Sequence, residues 1–69
     1  MNVKVRVEFD LGGDDMEEKC AVVLNRAYAH VGLFIQDMQY EEPDATSMRA
    51  ILLDVDGNSI GEVTVERKT

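Results

Sequence analysis

Asn2-Val3-Lys4-Val5-Arg6-Val7-Glu8-Phe9-Asp10 alternates strictly: Val3, Val5, Val7 and Phe9 fall on one side of the chain, and Lys4, Arg6, Glu8 and Asp10 on the other. Successive side chains of an extended strand point to opposite faces, so a period of two predicts a strand with one face on a core and one in water. Leu11-Gly12-Gly13 breaks that pattern. Asp14 or Asp15 can then cap a helix, with Glu17 and Glu18 in a first turn where the dipole favours negative charge.

From there the period changes to that of a helix. Cys20, Leu24, Ala27, Val31, Phe34 and Met38 recur at helical spacing, and a flanking row of Ala21, Tyr28 and Ile35 recurs every seventh residue. The pattern predicts a helix from about Asp15 to about Gln39. Gly32 lowers helix propensity by about 1 kcal/mol relative to alanine, but the stripe stays in phase across it, so one long helix is expected. Pro43, in Glu41-Glu42-Pro43-Asp44, marks the loop after it, since proline cannot continue a helix and disfavours it at the residue before.

The remainder reads as a hairpin. Met48 to Val55 and Ser59 to Glu66 are β-rich runs on either side of Asp56-Gly57-Asn58, whose residues tolerate the positive φ of tight turns. The tail Arg67-Lys68-Thr69 is expected to fray. The order is therefore βαββ, an α+β fold with one long amphipathic helix on a three-stranded, largely antiparallel sheet. The first strand shows Lys4 and Arg6 to solvent and the last shows Glu62, Thr64 and Glu66, so pairing these strands opposes unlike charges and puts the last strand in the centre. Ala50-Ile51-Leu52-Leu53 is apolar on both faces, as in a strand covered on both sides, and Leu52 is expected on the face away from the helix.

A chain of 69 residues is one domain over 1–69, and at that size folding buries only about 60% of the unfolded chain's surface. The lone cysteine, Cys20, can form no internal bridge, and with the lone histidine, His30, it supplies no zinc cluster. A free thiol and a start at Met1 without an apolar leader point to a reducing, cytoplasmic setting. No apolar run approaches the roughly 20 residues needed to span a bilayer. Hydrophobic residues make up 45% of the chain, which marks a folded domain despite a net charge of −7. That charge, with no cluster of Lys and Arg, argues against direct binding to nucleic acid or to an anionic membrane, and favours a protein partner with a basic surface.

Catalytic and metal motifs are not apparent. Asp54-Val55-Asp56-Gly57-Asn58 with Glu62 lacks the glycine position and flanking helices of a calcium loop. Cys20 sits on the core face after an acidic turn, a setting that does not favour a reactive thiolate, and His30 sits at the edge of the apolar stripe. Leu11-Gly12-Gly13-Asp14-Asp15 places acids where a bound phosphate would lie. No enzyme activity, cofactor or metal is expected.

Other features go beyond what a minimal core requires. Val22, Ala29, Leu33 and Tyr40 form a row on the back of the helix, opposite the stripe, and with Leu52 they are the expected self-association surface of a homodimer. Acids also cluster at both helix ends. Asp10, Asp14, Asp15, Glu17 and Glu18 suit the dipole at the N-terminus, whereas Asp37, Glu41, Glu42 and Asp44 oppose it at the C-terminus. Asp37, Glu41, Glu42 and Asp44, with Asp14, Asp15 and Glu18, are the expected contacts to the Arg and Lys of a partner.

In size, acidity and lack of catalytic motifs the chain is similar to the small inhibitor proteins carried by phages and mobile elements, some of which present acids to the nucleic-acid groove of a target. The likeness is one of type and rests on no motif. It implies an inhibitor or adaptor docked on a basic, nucleic-acid-binding protein. The alternative is a structural homo-oligomeric domain whose acids serve solubility.

Overall fold

The sheet has the order expected, with the last strand in the centre. The computed structural model describes Met1–Lys68, with β1 (Asn2–Phe9), α1 (Met16–Gln36) running on into a wider π turn (Asp37–Glu41), β2 (Ser47–Leu53) and β3 (Ser59–Lys68). The three strands lie in the order β1-β3-β2, and both pairings are antiparallel. Lys4 faces Glu66, Arg6 faces Thr64 and Glu8 faces Glu62. The closest ion pair is made by the other neighbour, with Arg49 of β2 at 2.9 Å from Glu62. Arg67 and Lys68, expected to fray, belong to β3, and Thr69 lies outside the described residues.

The helix passes through Gly32 without a break. It starts at Asp15, whose backbone is left-handed (φ 58°), a conformation aspartate tolerates better than most residues; its carboxylate bonds no backbone N–H, contrary to the expected cap. Its last residues widen into the π turn, where the Glu42 N–H donates to the Asp37 carbonyl at 2.6 Å.

The core lies between the helix and the inner faces of β2 and β3. Val23, Ala27, Leu52 and Val63 form its centre, with Phe9, Leu11, Val31, Phe34, Ala50 and Ile60 packed around them, while Met38 and Val65 are buried at the far end. This corrects the sequence reading of Leu52, which is 1% exposed on the helix side of β2. The residues facing away are Ile51 and Leu53, and that face of β2 is open rather than covered. The two apolar faces of β2 cannot be told apart by pattern. Their parity is set by the register with β3, in which Leu52 faces Gly61, Leu53 faces Ser59, and Ile60 is the extra residue of a bulge.

The helix is also rolled relative to the expected stripe. Leu24 is 49% and Tyr28 81% exposed, while Val23, outside that stripe, is buried. At 100° per residue the buried centre is turned by roughly 60° from the line through Leu24 and Val31. The cause is position: α1 lies over β2 and β3 rather than over β1. Val5 and Val7, on the inner face of β1, are therefore left 45% and 37% exposed.

Side chains of long reach fasten the layers. Arg26 Nη1 donates to the Leu53 carbonyl at 2.7 Å and ties mid-helix to the hairpin. Arg67 donates through Nε to the Ala45 carbonyl and through Nη2 to the Met38 carbonyl, each at 3.1 Å.

Candidate functional site

At the helix C-terminus, the π turn and the loop after it hold Asp37, Glu41, Glu42 and Asp44 together. Glu41, Glu42 and Asp44 are exposed and Asp37 is half-buried; among the described residues none of them is in an ion pair. The dipole cost expected of acids here is offset from another element, because the Arg67 guanidinium caps the Met38 carbonyl at that end. Arg67 is bonded to backbone carbonyls and pairs with none of these carboxylates.

Asp14, Asp15 and Glu18 are exposed at the other end, beyond a helix and π turn of 21 and 5 residues, a length of about 39 Å. The seven expected partner contacts therefore form separate acidic ends, not one surface.

The N-terminal end is larger than the sequence reading made it. The β2–β3 turn folds back beside it, so that Asp10, Leu11, Gly12, Lys19, Asp54 and Asp56 share a narrow cleft of about 110 Å³, against the ~300 Å³ of a usual ligand pocket. Asp54 is occupied internally. It accepts from the Asn58 N–H at 2.8 Å and the Asp56 N–H at 2.9 Å. These donors, Asn58 foremost, hold its carboxyl below the usual carboxylate range against a smaller opposing effect of desolvation. Asp56 is exposed and extends the acidic end. The Asp-Gly-Asn motif signalled the turn, but only the fold brings it to the start of the helix. Lys19 donates to the Gly12 carbonyl at 3.0 Å and so braces the loop between these acids.

Of the expected self-association residues, Val22, Ala29, Leu33 and Tyr40 are exposed on the back of the helix, whereas Leu52 is in the core and unavailable. A second apolar surface was missed. Val5, Val7, Leu24, Tyr28 and Val31 line an open groove of about 480 Å³ between β1 and the helix. The available signal was the width of the helix's apolar arc, which with Ala21, Tyr28 and Ile35 added exceeds what one sheet face covers.

His30 stacks at 5.8 Å from the Phe34 ring, and Cys20 is a half-buried free thiol. Among the described residues no group of three or more His, Cys, Asp or Glu is placed to hold a metal ion, and no helix is long and apolar enough to cross a membrane. Comparison of the chain with protein-family models, with curated proteins and with solved structures finds no match.

Proposed function

We propose that this protein is a small non-enzymatic binding module that docks through its acidic ends on the basic surface of a partner, as an inhibitor or adaptor of a nucleic-acid-binding protein in the cytoplasm. The observation that carries the reading is the C-terminal end of the helix. Asp37, Glu41, Glu42 and Asp44 are gathered there, and among the described residues none of them is in an ion pair, the guanidinium at that end, Arg67, being bonded to the Met38 and Ala45 carbonyls instead. Exposed carboxylates of one sign steer a basic partner and form charge-assisted bonds to its Arg and Lys. The separation of the acidic ends suits a partner with an extended basic groove.

The test compares the wild type with a variant carrying Asp37→Lys, Glu41→Lys, Glu42→Lys and Asp44→Lys, each immobilised and exposed to host extract at low salt. The reading expects basic nucleic-acid-binding proteins on the wild type alone, released by 0.5 M NaCl as their ion pairs are screened. Retention of the same proteins by both would refute it.

A second reading, a homo-oligomeric assembly domain, is favoured by the apolar side chains left in water. Tyr40, Leu33 and Val22 are 75%, 57% and 39% exposed on the helix back.

A further inference from the structure

We infer that two copies of this chain join along the free edge of β1, in antiparallel register about Val7, to make one continuous sheet in the order β2-β3-β1-β1-β3-β2. The inference rests on the assembly reading only in calling for a second copy. It places the contact at β1 instead of the helix back, and it is independent of docking by the acidic ends.

Three observations meet at this edge. The first is the hydrogen-bonding state of β1, which pairs with β3 alone and so ends the sheet. The Asp10 N–H donates to the Ile60 carbonyl, and because such bonds alternate along an antiparallel strand, Glu8, Arg6 and Lys4 turn their backbone groups to β3 as well. Val3, Val5, Val7 and Phe9 turn theirs to the open edge. Such a row is a template for another strand unless it is blunted; β1 has no proline or inward charge, and the charges it carries, Lys4, Arg6 and Glu8, stand on its outer face.

The second is the charge pattern of the outer face. Lys4 and Arg6 precede Val7, and Glu8 and Asp10 follow it. Antiparallel pairing centred on Val7 sets Arg6 opposite Glu8 of the second copy and Lys4 opposite its Asp10, each twice by symmetry. It also pairs Val5 with Phe9 of the second copy, so the residues with outward backbone groups meet each other. Centring on Val5 instead opposes Lys4 to Arg6, centring on Arg6 opposes Arg6 to itself, and centring on Glu8 opposes Glu8 to itself. Like charges directly opposite are unfavourable, so the strand's own charges favour the register about Val7 over these three.

The third is the apolar surface above the edge. The helix lies over β2 and β3, leaving Val5 and Val7 half-covered with Leu24 and Tyr28 exposed beside them. A two-fold axis normal to the sheet at Val7 places both helices on one face, so both exposed grooves meet along the seam.

The experiment is sedimentation equilibrium of the full chain from 1 to 200 µM, with circular dichroism to establish folding. The wild type should be dimeric at the upper end. Arg6→Glu alone and Glu8→Arg alone should each weaken the dimer at least tenfold, and an equimolar mixture of these variants should recover it, because each then supplies the charge the other lacks. Leu33→Ser with Tyr40→Ser, on the helix back, should leave the dimer intact. Hydrogen exchange at the Val5, Val7 and Phe9 amides should slow as protein concentration rises. A monomer at 200 µM, indifference to the charge variants, no recovery on mixing, or dissociation by the helix-back variant would each overturn the inference. A dimer lost by the helix-back variant alone would overturn the β1 seam while sparing the assembly reading.

Discussion

Gly61 illustrates how one residue can set the spacing of a sheet. It stands opposite Phe9 in β1 and Leu52 in β2, and a Cβ built on it would lie 2.5 Å from the Phe9 Cα and overlap the Glu8 carbonyl oxygen. The obstacle is backbone, which cannot swing aside as a side chain can. Gly61→Ala should therefore cost about 1–3 kcal/mol, as overpacking does, seen as a lower urea midpoint with an unchanged slope. Gly57, at φ 84° in the hairpin turn but with open space around it, should lose stability to alanine through backbone strain alone. Asp54 in the same turn gives a pH signature. Its folded pKa lies below the ordinary value because backbone N–H groups, Asn58 first, bond the charged form. The stability it adds is thus fully present above the unfolded pKa, near 3.9, and lost as pH falls through the lower folded value. Asp54→Asn should remove that part of the acid sensitivity, and the titration of the Asp54 carboxyl followed by NMR gives the folded pKa directly; a value at or above 3.9 would contradict the account.

Among the elements, the helix end depends most on a distant residue. Arg67, 29 positions from Met38 and 22 from Ala45, donates to both carbonyls from the last part of β3. Arg67→Met keeps the apolar stem but leaves those part-buried carbonyls without their donor, and hydrogen bonds to a charged group are worth about 1.5–3 kcal/mol. Hydrogen exchange of residues 37–42 should accelerate in this variant more than that of residues 20–30, which separates loss of the cap from global unfolding. What was legible in the sequence follows the same division between local and distant causes. Alternation in β1, the helical period through Gly32 and the Asp-Gly-Asn turn are local, and each produced the element it predicted. The central place expected for β3 is also the one it takes, although the charges behind that expectation oppose each other only at Lys4 with Glu66, while Glu8 faces Glu62. The roll of the helix was not legible, because its apolar arc is wide enough to satisfy several orientations and the choice is made by where α1 lies over the sheet. Leu52 was misassigned for a like reason: Ala50-Ile51-Leu52-Leu53 offers an apolar residue to either face, and pairing with β3 decides between them. Of the candidate sites, both acidic ends were visible as charge runs. The groove over β1, and the approach of Asp54 and Asp56 to the helix start, depend on packing that no local pattern encodes.

The whole molecule is long for its mass, measuring 41 × 18 × 17 Å with a radius of gyration of 13.3 Å, against about 11 Å for a typical globule of this length. Much of its charge of −7 sits toward the ends of that long axis. Repulsion between the ends is weak, because their separation far exceeds the Debye length of about 10 Å at 0.1 M salt. Repulsion within each end is not, since Asp37 and Glu41 are one helical turn apart and Glu42 and Asp44 follow directly. Like charges at such spacings cost about 0.2–0.5 kcal/mol per pair, and the ion pairs at the surface, Arg49 with Glu62 and the looser Arg6 with Glu8 at 3.8 Å, are too exposed to compensate. Salt should therefore stabilise this fold. Raising NaCl from 10 mM to 0.3 M at 1 µM protein should raise the free energy of unfolding by about 1 kcal/mol. The variant Asp37→Asn with Glu41→Gln, Glu42→Gln and Asp44→Asn should start more stable at low salt and respond less. Urea denaturation of both proteins at each salt concentration measures the effect, and equal salt responses would mean that the acidic C-terminal end is not where the strain of the charge resides.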